Sequence, residues 1–411
     1  MVDFDKVVLD NGLRLIIHPD PSTPIVAVNI LYDVGSRDEN PDRTGFAHLF
    51  EHLMFGGSAN IPKYDTPLER AGGENNAFTN NDITNYYLTI PKQNLELALW
   101  LESDRMLDLA FSPESLKVQR NVVIEEFKQG YLNQPYGDVW LLLRPLAYKV
   151  HPYRWPTIGM DISHIENARM EDVVGFYQKH YHPSNAIMAI AGDVDPEEIV
   201  RLVEKWFGGI KPGKRPERNL ATEPVQREHR KLSVSRNVPF DALYKVFHMC
   251  NRFDAKYHTT DLLSDILSNG DSSRLHTRLV KKKRLFSSLD AYITGDLDEG
   301  LFVFSGKLVK GTKMKDAEEA LNEEIRAIAA ERPGERELEK VQNKIESSFE
   351  FSQMNVLNKA MNLAFYEHLG EASLLNEEVG KYRSVRPDDV RETASEIFRA
   401  ENCSSLYYHS N

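Results

Sequence analysis

The sequence predicts an α+β protein of two homologous domains, each an antiparallel sheet packed with helices, and three observations predict it. The chain has 411 residues, 41% of them apolar and 27% charged, which is enough for two cores of roughly 200 residues each. The run Gly208-Gly209-Ile210-Lys211-Pro212-Gly213-Lys214-Arg215-Pro216 concentrates glycine, proline and cation, and reads as a linker. It divides the chain into 1–210, a linker at 211–219, and 220–411. Finally, each half ends alike: a helical pattern at 171–177 precedes an apolar strand at 184–189, and a helix opening at Pro387 precedes a strand at 402–408.

The elements follow in order. Residues 6–9 and 13–18 flank Asp10-Asn11-Gly12, a hairpin turn. Residues 25–32 form a buried strand. A helix then carries His48 to His52, with Thr44 as its cap and Gly56-Gly57 as a left-handed stop. Residues 75–90 hold strand-forming Thr, Tyr and Ile and supply a sheet edge. Helices are expected at 94–108, 114–130 (opened by Ser112-Pro113), 171–180 and 196–206, with a strand at 185–191. In the second half, 258–269 is a helix closed by Gly270.

The chemistry sits in the first of these helices, in His48-Leu49-Phe50-Glu51-His52. His48 and His52 are four residues apart, so both imidazoles leave one helix face and can hold one divalent cation. Glu51 lies beside that face, where it can serve as a general base without being a ligand. Two histidines need a third protein ligand that leaves a position open for water. The helix at 114–130 offers Glu125 and Glu126, and the residues alone leave that choice open.

The inverted motif, followed by Arg120-Asn121-Val122-Val123-Ile124-Glu125-Glu126, resembles the pitrilysin/insulinase metallopeptidases (inverzincins), the group of the mitochondrial processing peptidase and many bacterial zinc peptidases. The resemblance covers the whole chain and is strongest before residue 210. It implies Glu126 as third ligand, one zinc per chain, and a zinc-dependent endopeptidase with Glu51 as base. It also implies that Asn75, Asn76, Ala77 and Phe78, in the stretch beginning Gly72-Gly73-Glu74, line an edge strand that pairs with extended peptide substrate. His151, in His151-Pro152-Tyr153-Arg154-Trp155, resembles the family's loop near the cleft and is read as structural. The helix at 258–269 is placed like the zinc helix, with Leu262, Asp265 and Ile266 where His48, Glu51 and His52 would fall, so the second domain is expected to carry no metal.

Two departures modify the expectation. Members that act alone carry an Arg and, seven residues later, a Tyr after the segment matched by Gly270-Asp271-Ser272-Ser273-Arg274-Leu275; here those positions are Val280 and Ser287. A donor aimed at developing charge is therefore missing. The expected protein is the catalytic subunit of a heterodimer whose homologous, non-identical partner brings that pair, with a homodimer as the other possibility. Seven residues before Glu126 the family often has Glu; this chain has Gln119, a neutral residue where a partner would orient the ligands. The competing reading is a non-catalytic assembly or peptide-binding subunit of a processing-peptidase-like complex.

Composition narrows the classes further. With 50 Lys and Arg against 62 Asp and Glu, the net charge is −12, which argues against nucleic acid and anionic membrane surfaces as partners. Two cysteines imply no disulfide framework. Met1–Lys6 holds no basic segment followed by an apolar run, and no stretch is long and apolar enough to span a bilayer. A cytoplasmic location is expected, or a periplasmic one had a leader been removed.

Overall fold

A computed structural model describes residues 1–411, which divide into two compact units. The first contains a six-stranded sheet built from β1 (Asp5–Val8), β2 (Arg14–Pro19), β3 (Ile25–Tyr32), β4 (Glu74–Thr79), β5 (Thr84–Pro91) and β6 (Ala186–Gly192). Their spatial order is β1-β2-β6-β3-β5-β4, which leaves β4 at an edge. The second unit contains β7 (Arg230–Arg236), β8 (Ala242–His248), β9 (Phe286–Ile293), β10 (Leu301–Leu308) and β11 (Cys403–Ser410), in the order β7-β11-β8-β10-β9.

With β1 set aside, the two orders are the same permutation. In each sheet the last strand inserts between the first two, and a hairpin supplies the far edge. The duplication seen at the ends of the two halves thus extends to every strand but β1. One expectation needs correction, because the sheets are not purely antiparallel. β6 runs parallel to β2, and β11 runs parallel to β7. Each closing strand arrives by a long crossover that includes a helix, Met170–His180 in one unit and Pro387–Ile397 in the other, and such a connection permits parallel pairing.

The units are discontinuous in the chain, not the continuous stretches 1–210 and 220–411 expected from its linker. The first unit comprises 1–129, 155–220 and 350–377; the second comprises 130–154, 221–349 and 378–411. Each sheet is covered by a helix from the other half. Val139–Ala147 buries Val139, Leu143 and Ala147, one face at helical spacing, in a cluster with Tyr244, Val246, Val303 and Leu406 of the second unit. Val356–His368 packs Val356, Ala360, Leu363 and Ala364 in the first unit, against β3 and β6. Apolar periodicity shows that a helix has a face to bury but not which of two similar sheets will bury it. No helix is long and apolar enough to cross a membrane.

Candidate metal centre

The metal helix, Phe46–Leu53, turns Phe46, Ala47, Leu49, Phe50 and Leu53 inward and leaves His48, Glu51 and His52 half-buried on the opposite side. Phe50 is fixed among Phe176, Tyr177 and Tyr181, with ring centroids 5.7, 5.8 and 4.3 Å away. The helix start differs from expectation. Gly45, at φ +88°, precedes the helix, and a Cβ there would lie 2.6 Å from the Ile158 carbonyl oxygen, so glycine is required. Thr44 makes no cap: its Oγ1 accepts from the Met160 amide at 2.7 Å and lies 2.8 Å from His164 Nδ1. The capping acceptor is Glu39, whose carboxylate takes the amides of Gly45 (2.9 Å) and Ala47 (2.8 Å). Burial pushes that carboxyl up to about 8 against the pull of the two amides. After the helix only Gly57 is left-handed (φ +104°); Met54, the first residue past the helix, stays right-handed.

The second ligand-bearing helix, Pro113–Phe127, starts as the sequence predicts. Ser112 accepts the Ser115 amide at 3.0 Å, and proline follows in the first turn. Arg120 bonds the carbonyls of Glu166 and Ala168 at 2.9 and 3.1 Å, fixing this helix against the end of the short helix Ile162–Glu166. The two acids of this helix face different ways. Glu125 faces solvent and pairs with Lys128 at 2.7 Å. Glu126 turns to the histidines: its Oε2 lies 3.0 Å from His48 Nε2 and 3.4 Å from His52 Nε2. Gln119 is half-buried two helical turns before Glu126.

Ligand atoms of His48, His52 and Glu126 all fall within 4.8 Å of one another. A tetrahedral zinc ion with bonds of about 2.1 Å separates its ligand atoms by about 3.4 Å, close to the two distances above. The donor chemistry fits as well. Burial disfavours charge on His48, yet its hydrogen bonds to Glu126 and Glu51 outweigh it and raise the imidazole to about 9. The hydrogen bond from His48 holds Glu126 below the usual carboxylate range, whereas burial and the neighbouring His48 lower His52. A cluster that draws in a proton this strongly is one a divalent cation can occupy in the proton's place.

Glu51 takes no part in that triangle. Its Oε2 accepts from Thr79 Oγ1 at 2.7 Å and lies 3.5 Å from His48 Nδ1. Thr79 ends edge strand β4, which carries Asn75, Asn76, Ala77 and Phe78. The amide of Ala77 bonds Asn76 Oδ1 rather than β5, so the main chain of Asn75, Ala77 and Thr79 faces the open edge, and that of Asn76 and Phe78 faces β5. Asn75 is tethered to Asp65 at 2.9 Å. His151 is buried in the second unit, accepting the Tyr153 amide at 3.2 Å with its other nitrogen 3.5 Å from Asp298.

The positions equivalent to the metal helix in the second unit are apolar or otherwise engaged. Leu262 and Ile266 are fully buried, and Asp265 bonds Asn269 at 2.7 Å. Val280 packs against that unit's core, Ser287 donates to the Lys307 carbonyl at 3.1 Å, and Arg278 pairs with Glu324 at 2.6 Å. The residues missed from sequence are Glu39, Gly45 and Thr79. Thr79 alone had a signal, because it ends the strand already singled out.

Residues 14–140 match the family described as Insulinase (Peptidase family M16), and residues 167–345 match the one described as Peptidase M16 inactive domain. The zinc protease PqqE of Helicobacter pylori is 29% identical over 98% of this chain and 92% of its own length. The mitochondrial-processing peptidase subunit beta of Caenorhabditis elegans is 27% identical over 56% of this chain and 49% of its own. A crystal structure of a protease from Helicobacter pylori matches with a TM-score of 0.94 at 27% identity, covering 99% of this chain and 100% of that one.

Proposed function

This chain belongs to the insulinase family of peptidases (M16), and from that premise we propose that it is a zinc-dependent endopeptidase cutting peptides or unfolded polypeptides. The observation that carries the reading is the convergence of His48, His52 and Glu126, from two separate helices, with Glu51 beside them and an open strand edge within reach. One zinc ion held there would polarise a peptide carbonyl and make water a better nucleophile. Glu51 takes a proton from the attacking water and passes it to the leaving amine. The outward main chain of Asn75, Ala77 and Thr79 pairs with an extended substrate, which favours unfolded chains over folded ones.

We further read the chain as the catalytic subunit of a pair. Val280 and Ser287 offer no cation or phenol where the family's Arg and Tyr would stand, and Arg278 is held by Glu324. A homologous, non-identical subunit would bring that pair; the relative called a subunit beta supports this reading. The description "inactive domain" applies to residues 167–345, which exclude all three metal-binding residues and Glu51, so it does not favour a non-catalytic role.

The test is cleavage of a quenched fluorescent peptide by the zinc-loaded chain, with Glu51→Gln as the blank. That variant should keep its zinc and lose about 10²- to 10⁴-fold in turnover. Turnover retained by Glu51→Gln would remove Glu51 as the base. Clear turnover by the parent chain alone would remove the need for a partner. One bound zinc with no turnover, restored by a homologue carrying the Arg/Tyr pair, would support the paired reading.

A further inference from the structure

We infer that Thr79 is a positioning residue for the base: its hydroxyl fixes which carboxylate oxygen of Glu51 is free to take the proton, and it couples that choice to the strand that binds substrate. The inference rests on the peptidase reading above and specifies how its site is held.

A carboxylate on a helix face turns about its terminal torsion with little preference. As a base it needs one oxygen aimed at the water and the other occupied. Thr79 Oγ1 donates to Oε2 at 2.7 Å, and the same oxygen lies 3.5 Å from His48 Nδ1. Oε2 is thereby committed, and Oε1 is left without a protein partner. A hydroxyl suits the task, since it donates one proton and carries no charge into the metal's surroundings.

Thr79 is itself held from three sides. It stands opposite Thr84 as the last pair of the β4–β5 hairpin, a pair without mutual main-chain bonds, where side chains approach most closely; the two Oγ1 atoms are 3.4 Å apart. Thr84 is fully buried and its hydroxyl donates to the Val34 carbonyl at 2.9 Å. The hairpin tip is anchored too: Asn80 and Asn81 accept the amides of Ser36 and Arg37 at 3.1 and 2.9 Å, and Arg37 pairs with Asp82 at 2.9 Å.

The coupling to substrate comes from strand geometry. The main chain of Thr79 faces the open edge, in line with Asn75 and Ala77, while its side chain reaches Glu51. A peptide that pairs along β4 therefore stiffens the residue that aims the base. Substrate alignment would then act on turnover more than on binding.

Thr79→Val removes the hydroxyl at nearly constant volume. With the zinc-loaded chain and its required partner, if any, kcat on the fluorescent peptide is expected to fall about ten- to hundredfold with KM within about twofold. Thr79→Ser should bring kcat back to within about threefold of the parent. A Thr79→Val protein with unchanged kcat, or one whose loss lies entirely in KM or in bound zinc, overturns the inference. A crystal structure of zinc-loaded Thr79→Val reads the same point without turnover. There the Glu51 carboxylate should leave its parent orientation, and an unmoved carboxylate overturns the positioning role. A parent that binds zinc and cleaves nothing even with a homologue carrying the Arg/Tyr pair, beside a variant with a displaced carboxylate, would sink the peptidase reading and leave the positioning role standing.

Discussion

Replacing Arg105 by Met should destabilise the first unit by about 4 kcal/mol, and removing Glu102 in the same chain should return about half of that. Arg105 lies on the helix Leu95–Leu107 and is only 2% exposed. Its guanidinium grips Glu102 with Nε and Nη2 at 2.8 and 2.7 Å, and Glu102 also accepts from the Tyr64 hydroxyl at 2.5 Å. The guanidinium carbon sits 4.6 Å from the ring centres of Tyr64 and Tyr86 and 5.4 Å from Phe55. Met fills much of the space but leaves a buried carboxylate with one donor, at a cost of about 3–5 kcal/mol. The lost ring contacts add about 1 kcal/mol or more, offset in part by the better burial of an apolar side chain. In a unit of this size, about 4 kcal/mol moves Tm by about 8–16 °C. The assay is thermal and urea unfolding with and without zinc, since only the first unit's transition should rise with the metal. A loss below about 1 kcal/mol for Arg105→Met, or a Glu102→Gln/Arg105→Met protein no more stable than the single variant, would refute the claim that this pair is the energetic unit.

Other perturbations have equally definite outcomes. Burial would raise Glu378, but the hydrogen bond from His258 and the charge of Arg252, 2.8 Å away, prevail and lower it to about 2. Its folded value lies below its unfolded one, so the stabilisation is present at neutral pH and is lost as pH falls. A carboxyl held near 2 contributes about 3 kcal/mol at pH 7 and about 1.4 kcal/mol at pH 3. The stability gap between the parent and Glu378→Gln, followed by urea titrations across that range, should narrow accordingly; a gap that stays constant would contradict the assignment. A Cβ on Gly35 would lie 2.5 Å from the Asn81 and Asp82 backbone. Gly35→Ala should therefore push the hairpin tip away and cost about 1–3 kcal/mol. It should also lower kcat by about tenfold or more through Thr79, measured beside a Tm that still shows a folded protein.

How much of this was legible in the sequence depended on how far apart the partners lie. His48 and His52 are one helical turn apart, so their convergence follows from local geometry, and the α+β duplication and the family resemblance are both borne out by fold and comparison. Glu126 stands 74 positions beyond His52, and the residues alone could not rank it above Glu125; the helix rotation that sends Glu125 to Lys128 depends on Leu116, Val123 and Phe127 being buried beneath it. Thr44 looked like a cap because its residue type is right, but its hydroxyl is taken by the Met160 amide and His164, and Glu39 reaches the amides of Gly45 and Ala47 from a separate turn. The parallel pairs and the helices at Val139–Ala147 and Val356–His368 were hidden for a different reason. Periodicity fixes which face is apolar, while the choice of sheet is made by shape across the whole molecule.

The exchange of those two helices bears on how such a protein can be cut. Each half of the chain supplies one of the helices that cover the other's sheet. A protease that severed residues 211–219 would make two polypeptides without making two proteins, because each unit would still contain pieces of both.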